Sequence, residues 1–200
     1  MINSSDTVQD SLLTGLNEKQ LEAVTLPHQS ALILAGAGSG KTRVLTTRIA
    51  WLIQTGQVSP TGLLAVTFTN KAAGEMKDRV TDLVGPIAKS MWVSTFHSAC
   101  VRLLRQEIER LGYSSTFSIY DSADSQKLIS RVMETLNLDP KRYPARQFQN
   151  IISNAKNELQ SPYEFLSKAT NQFDTIAADV YTMYEKRLKQ SNAMDFDDLI

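Results

Sequence analysis

Residues 31–42 read Ala31-Leu32-Ile33-Leu34-Ala35-Gly36-Ala37-Gly38-Ser39-Gly40-Lys41-Thr42, and the fold turns on them. The five apolar residues from Ala31 to Ala35 predict a buried strand, running into a glycine-rich loop that ends in Lys41 and Thr42. A triphosphate is small and highly charged, and holding one takes backbone N–H groups aimed inward. Gly36, Gly38 and Gly40 are expected to turn the backbone through positive φ and to approach a ligand without a Cβ in the way. A helix starting at Gly40–Lys41 adds unpaired N–H groups and the positive end of its dipole. In this pattern Gly36, Ala37, Gly38, Ser39 and Gly40 form the cradle, Lys41 reaches the β and γ phosphates, and the Thr42 hydroxyl holds Mg²⁺. Ala35 stands where the pattern usually has its first glycine, a position that ends the strand and leaves the cradle intact. Beyond it Leu45, Ile49, Leu52 and Ile53 recur at helical spacing, which completes a strand–loop–helix context. The competing reading, a tight connection with no ligand, leaves Gly-Lys-Thr unexplained.

The composition is that of an ordinary globular chain. Its 200 residues fit one domain or two small ones, with 42% hydrophobic and 21% charged residues, enough to bury a core. No apolar run approaches the ~20 residues of a membrane span. Met1 to Ser11 are polar and lack an apolar signal region, so a flexible N-terminus over residues 1–15 and a cytoplasmic protein are expected. The single cysteine, Cys100, excludes an internal disulfide and reads as a structural thiol on the apolar side of a helix. With only His28, His97 and Cys100 as soft ligands, zinc is not expected. Lys and Arg number 21 against 21 Asp and Glu, so overall charge does not announce a nucleic-acid partner.

Along the chain, Leu16-Asn17-Glu18-Lys19-Gln20 opens a helix with Asn17 as its cap. Gln20 has two readings: a capping box with Asn17, or an amide that reads the adenine edge of ATP. Leu63 to Val66 predict a second buried strand ending in Thr67-Phe68-Thr69-Asn70-Lys71, with a helix after it. Met91-Trp92-Val93 predict a third, followed by Thr95-Phe96-His97-Ser98 and another helix. Both polar groups fall at the C-terminal edge of parallel strands, where open α/β sheets bind ligands. They are equally what caps a helix. Phe68 is a core residue or a base-stacking platform, and His97 a cap or a ligand contact. Phe117 to Tyr120 predict a short fourth strand. From Asp121 the pattern is helical, with no strand signal, and Lys141, Arg142, Arg146 and Lys156 are candidates for phosphate contact. The chain stops at Met194-Asp195-Phe196-Asp197-Asp198-Leu199-Ile200, within an amphipathic pattern, and reads as cut from something longer.

Taken together, Leu16 to Gln20, Ala35 to Arg43, Thr67 to Ala73, Ser94 to Ser98 and the Asp-Phe-Asp-Asp-Leu-Ile ending resemble the UvrD/Rep/PcrA family of superfamily-one DNA helicases, in that family's order. The resemblance implies an α/β P-loop fold, a RecA-like parallel sheet flanked by helices and followed by an all-helical subdomain. It implies residues 16–121 as an incomplete RecA-like domain 1A, 122–193 as the helical 1B-like subdomain, and 194–200 as the start of a return to 1A. The resemblance also admits a helical boundary drawn soon after Ser98. By the same resemblance Gln20 reads adenine, Arg43 flanks it, and Lys41 and Thr42 serve ATP and Mg²⁺. Thr67, Phe68, Thr69, Asn70, Lys71, Thr95, Phe96 and His97 then grip single-stranded DNA, including its junctions with duplex. The implied activity is ATP-driven three-prime to five-prime translocation and unwinding in repair and replication, by a cytoplasmic protein that joins the nucleoid on DNA. In the family an Asp-Glu pair follows the last motif and transition-state arginines come from a second RecA-like domain. Without them these residues are expected to bind nucleotide weakly and hydrolyse almost none. Another P-loop nucleotidase, a helicase–nuclease subunit and a nucleotide-binding regulatory module are the alternatives.

Overall fold

The computed structural model describes residues 11–27 and 29–200. Most of the expected leader, together with His28, lies outside the described residues. Chain contacts divide the molecule into two compact units, one through Phe96 and one from His97 onward.

In the first unit, helix α1 (Glu18–Thr25) starts where Asn17 Oδ1 accepts from the Gln20 amide at 2.9 Å. Gln20 Oε1 in turn accepts from the Asn17 amide at 3.1 Å, so the capping box is formed. Helix α2 (Lys41–Gln54) begins at Gly40, which sits in the left-handed region and provides no side-chain cap. Strand β1 (Leu64–Thr67), helix α3 (Asn70–Val84) and strand β2 (Trp92–Thr95) make one βαβ unit. Its strands pair in parallel, from Leu64 opposite Trp92 to Thr67 opposite Thr95. Parallel neighbours need a long crossover, and α3 supplies it. Ile49, Ala65, Met76, Val80, Ala88 and Met91 form the core between the strands and these helices.

One expectation fails here. Residues 30–36 form neither helix nor strand, and Leu32 and Leu34 are 85% and 88% exposed. A strand buried on both faces needs hydrogen-bonded neighbours to satisfy its backbone. The sheet of this unit is two-stranded, β1 with β2, and offers residues 31–35 no partner among the described residues. The apolar run is therefore irregular chain in contact with solvent.

Helix α4 (Phe96–Glu107) starts at the last residue of the first unit and, in the second, leads to strand β3 (Ser118–Tyr120). Helices α5 (Ser122–Thr135), α6 (Ala145–Asn157), α7 (Pro162–Ser167) and α8 (Gln172–Gln190) follow. Their caps are the residues that composition picks out: Asp121, Ser161 and Asn171 each accept from a backbone N–H in the first turn. Strand β4 (Ala193–Asp195) returns to pair in parallel with β3, a strand the sequence does not announce. It is three residues long, too short to show a period. The core is Ile129, Val132, Met133, Phe148, Ile152, Val180, Tyr184 and Leu188. Cys100 is half-buried beside a smaller cluster of Ile108, Phe117, Met194 and Leu199. Across the described residues the architecture is helices with small parallel sheets, and none of these helices is long and apolar enough to cross a membrane.

Candidate functional site

The loop after residue 35 turns on itself, with Ser39 Oγ donating to the Gly36 carbonyl at 2.8 Å. Gly38 and Gly40 have φ of 74° and 82°, which L side chains rarely adopt, whereas Gly36 does not turn through positive φ as the sequence suggested. A single left-handed step before α2 suffices to start the helix, so Gly36 is left in an ordinary conformation. The Lys41 ammonium lies over the loop, donating to the carbonyls of Ala35 at 3.1 Å and Gly36 at 2.6 Å. Thr42 is exposed beside it in the first turn of α2, and among the described residues its hydroxyl has no hydrogen-bond partner. The first N–H groups of an uncapped helix, the Lys41 ammonium and the exposed Thr42 side chain thus gather where the loop enters α2. Cβ atoms at Gly36 and Gly38 would meet nothing within 4 Å. These residues fit a phosphate group and a hard, oxygen-seeking cation.

Gln20 ties this loop to α1. While its Oε1 serves the capping box, its Nε2 donates to the Ser39 carbonyl at 3.1 Å. The structure therefore forms the box, with the same side chain reaching the loop. Arg43 Nη2 donates to the Thr14 carbonyl at 3.2 Å, bringing the guanidinium to the same edge. Arg48, which no motif flags, donates from Nη1 to the carbonyls of Val24 and Leu26, both at 2.8 Å, and from Nη2 to Pro27 at 3.3 Å. It closes the carbonyl end of α1 and fixes that helix on α2. A basic residue about two helical turns past a phosphate loop carries no local signal, because its partners are backbone atoms more than twenty residues earlier.

The second group of candidates is assembled by strand register. Thr67 and Thr95 are opposite each other at the ends of β1 and β2, so the residues that follow them emerge together. Phe68 and Phe96 lie 5.5 Å apart between ring centroids, tilted at 47°. Phe68 is 91% exposed, which removes the core reading for it. Thr69 is the cap of α3, its hydroxyl accepting from the Ala72 amide at 3.1 Å, while Thr67 Oγ1 donates to the Thr69 carbonyl at 3.0 Å. Asn70 and Lys71 are exposed in the first turn, and Lys71 makes only a loose 4.0 Å ion pair with Glu75. Thr95 is buried at the strand end.

In the second unit His97 is exposed and meets Phe196 edge-to-face at 5.6 Å. Phe196 is itself 48% exposed, and it repeats the pattern of an aromatic just past a strand end, here β4. The rule that picked out Phe68 and Phe96 picks out Phe196 once β4 is recognised. The basic candidates separate sharply. Arg146 lines a cavity of about 570 Å³ between α5 and α6, with Gln149 and Asn150 beside it. Lys156 is no phosphate contact: its side chain is 6% exposed and surrounded by acids. Its ammonium donates to Asp195 Oδ2 at 2.8 Å and Asp198 Oδ1 at 2.7 Å. Glu185 Oε1 is also at 2.7 Å, as an ion pair outside hydrogen-bonding geometry. Burial works against the charge on Lys156, but Asp198, Glu185 and Asp195 outweigh it and hold its pKa above the ordinary lysine value. Burial also pushes Asp198 up to about 6 against the pull of Lys156. Asp195, despite its burial, is held below the usual carboxylate range by Lys156 and by the Tyr184 hydroxyl, which donates to it at 2.8 Å.

Comparison with known proteins finds a matching family and similar relatives. The UvrD/REP helicase N-terminal domain model matches residues 16–200. The chain is similar to the ATP-dependent DNA helicase PcrA of Bacillus subtilis (strain 168), at 50% identity over 193 residues, covering 96% of this chain and 26% of that protein. It is 52% identical over 195 residues to the ATP-dependent DNA helicase UvrD1 of Mycobacterium bovis, covering 96% of this chain and 25% of the relative. PcrA of Staphylococcus aureus (strain Mu50 / ATCC 700699) is 48% identical over 191 residues. The chain thus spans about a quarter of the length of the first two relatives.

Proposed function

Since the chain belongs to the UvrD/REP helicase family, matched through that family's N-terminal domain, we propose that it is the nucleotide-binding part of an ATP-dependent DNA helicase. The relatives are named as ATP-dependent DNA helicases, which supports ATP and DNA as the ligands. In this reading residues 36–40 and the first turn of α2 hold the triphosphate, Lys41 neutralises its outer phosphates, and Thr42 ligates Mg²⁺. A magnesium ion held there would supply positive charge against the negative charge that develops on the phosphates. Gln20 and Arg43 border the base. Single-stranded DNA then contacts Phe68, Asn70, Lys71 and Phe96 in the first unit, and His97 and Phe196 are the candidate contacts of the second. The parent protein moves three-prime to five-prime on one strand and opens duplex at junctions. Residues 16–121 belong to its first motor domain and 122–193 to an inserted helical subdomain. The 200 residues by themselves contain no Asp-Glu dipeptide to complete the metal site and activate water, so they bind nucleotide and turn it over very slowly.

One observation carries the DNA half: the parallel register of β1 and β2 brings two motifs 28 residues apart to one edge, each tipped with an exposed aromatic ring. Every base has a π face, so paired exposed rings suit a single strand of any sequence. The test has two arms. Labelled ATP with magnesium is titrated into the wild type and Lys41→Ala, and a labelled oligothymidylate into the wild type and Phe68→Ala over a range of salt. Saturable ATP uptake lost in Lys41→Ala, and salt-sensitive oligonucleotide binding weakened by Phe68→Ala, support the reading. Uptake without oligonucleotide binding favours a nucleotide-binding regulatory module, and brisk DNA-stimulated hydrolysis by the chain alone overturns the slow-turnover part.

A further inference from the structure

The buried cluster around Lys156 is used by none of the chemistry above, yet its partners flank the exposed ring of Phe196. Asp195 ends β4 and Asp198 sits three residues on, with Phe196 and Asp197 between them. The two aspartates close this turn reciprocally: the Asp195 amide donates to Asp198 Oδ2 and the Asp198 amide to Asp195 Oδ1, each at 3.0 Å. Asp195 Oδ2 and Asp198 Oδ1 both accept from one cation, Lys156 Nζ. Two carboxylates crowded into one buried turn, with Glu185 close by, repel one another unless a positive charge is shared among them. Lys156 reaches them from α6 and Glu185 from α8, while Tyr184 of α8 adds its hydroxyl to Asp195. The turn carrying Phe196 is therefore held at both ends by one ammonium anchored in the helical core.

We propose that Lys156 is a positioning residue for the Phe196–His97 edge, its ammonium clamping the Asp195–Asp198 turn so that the Phe196 ring stands against His97 where a DNA base stacks. This rests on the DNA reading of that edge, and it assigns a buried lysine on another helix the task of orienting the contact. The ammonium itself touches no DNA. Its removal leaves three carboxylates without their counter-ion, and the turn opens to separate them.

Two readouts on the full chain test this. In DNA-free protein, the ring-current shift that Phe196 imposes on the His97 imidazole protons reports the ring's position by NMR. Binding of a labelled oligothymidylate reports the contact. Lys156→Met is expected to abolish the shift and weaken binding about tenfold, and Lys156→Arg to retain most of both. In a Phe196→Ala background, Lys156→Met should change affinity by less than twofold, which a general loss of stability would not produce. If Lys156→Met does not fold, Lys156→Met combined with Asp198→Asn removes one charge of each sign and serves instead. A shift unchanged in the folded variant, or a full additional loss of affinity in the Phe196→Ala background, overturns the clamp. A lost shift with unchanged oligonucleotide affinity keeps the clamp and rejects the DNA reading of this edge, which separates the two failures.

Discussion

Phe68 shows how far a single residue's exposure can decide between two chemistries. A phenyl ring 91% open to solvent contributes little to folding, so Phe68→Ala is expected to leave the melting temperature within a degree or two. The same change removes a stacking surface worth ~1–3 kcal/mol per base. Oligonucleotide affinity should fall by about tenfold or more at low salt, measured by fluorescence anisotropy; a large drop in melting temperature with no change in affinity would return Phe68 to the core. Gly40 argues the converse case. Its φ of 82° is strained for any side chain, and an added Cβ would come within 3.0 Å of Gln20 Nε2, the atom that ties α1 to the loop. Gly40→Ala should cost ~1 kcal/mol in strain and displace Gln20. ATP titration should show weaker uptake, because the first turn of α2 is then misaimed.

At the scale of elements, most helices were legible because their ends are written in caps. Asn17, Thr69, Asp121, Ser161 and Asn171 each bond into the first turn they precede. The strand expected over residues 31–35 is absent for a reason equally physical: hydrophobicity states a need for burial but cannot provide the neighbouring strands that meet it. Leu32→Asp and Leu34→Asp therefore discriminate. A buried strand would lose ~2–5 kcal/mol on each such change, whereas exposed positions shift by ~0.5 kcal/mol or less. Denaturant unfolding of the 200-residue chain should show the small effect, together with improved solubility. The β4 turn carries a pH signature. The folded pKa of Asp198 is raised from 3.8 to about 6, so its contribution to stability is full below 3.8 and lost as pH rises through 6. Asp195 is shifted the other way: its contribution is full above 3.8 and is lost as pH falls from there through its lowered value. Between pH 7.5 and pH 5 the Asp198 effect dominates within the cluster, and the second unit should gain ~1 kcal/mol on acidification. Asp198→Asn should flatten that profile; a profile unchanged in Asp198→Asn would assign the gain to other groups.

For the whole molecule, the sequence marked the loop and both aromatic-tipped edges because each is contiguous in the chain. The links between distant segments were hidden: the register that joins Phe68 to Phe96, the grip of Arg48 on α1, and the acids gathered by Lys156. Each depends on a partner tens of residues away, which no local pattern encodes. The two units also have separate cores, one around Met76 and Val80, the other around Phe148 and Val132. Every residue of the proposed nucleotide cradle, from Gln20 to Arg43, lies in the first. A ligand stabilises the structure that binds it by mass action, ~2.7 kcal/mol when its free concentration is one hundred times Kd. Saturating ATP with magnesium should therefore raise hydrogen-exchange protection at the amides of Met76 and Val80 and leave those of Val132 and Phe148 near their ligand-free values. Phe148→Ala, which empties a buried position stacked on Phe173 at 5.8 Å, should lower protection in the second unit by ~3–5 kcal/mol without weakening ATP uptake. Equal protection gained in both units on adding nucleotide would mean that the binding energy is shared across the chain, and the confinement of nucleotide linkage to the first unit would fall.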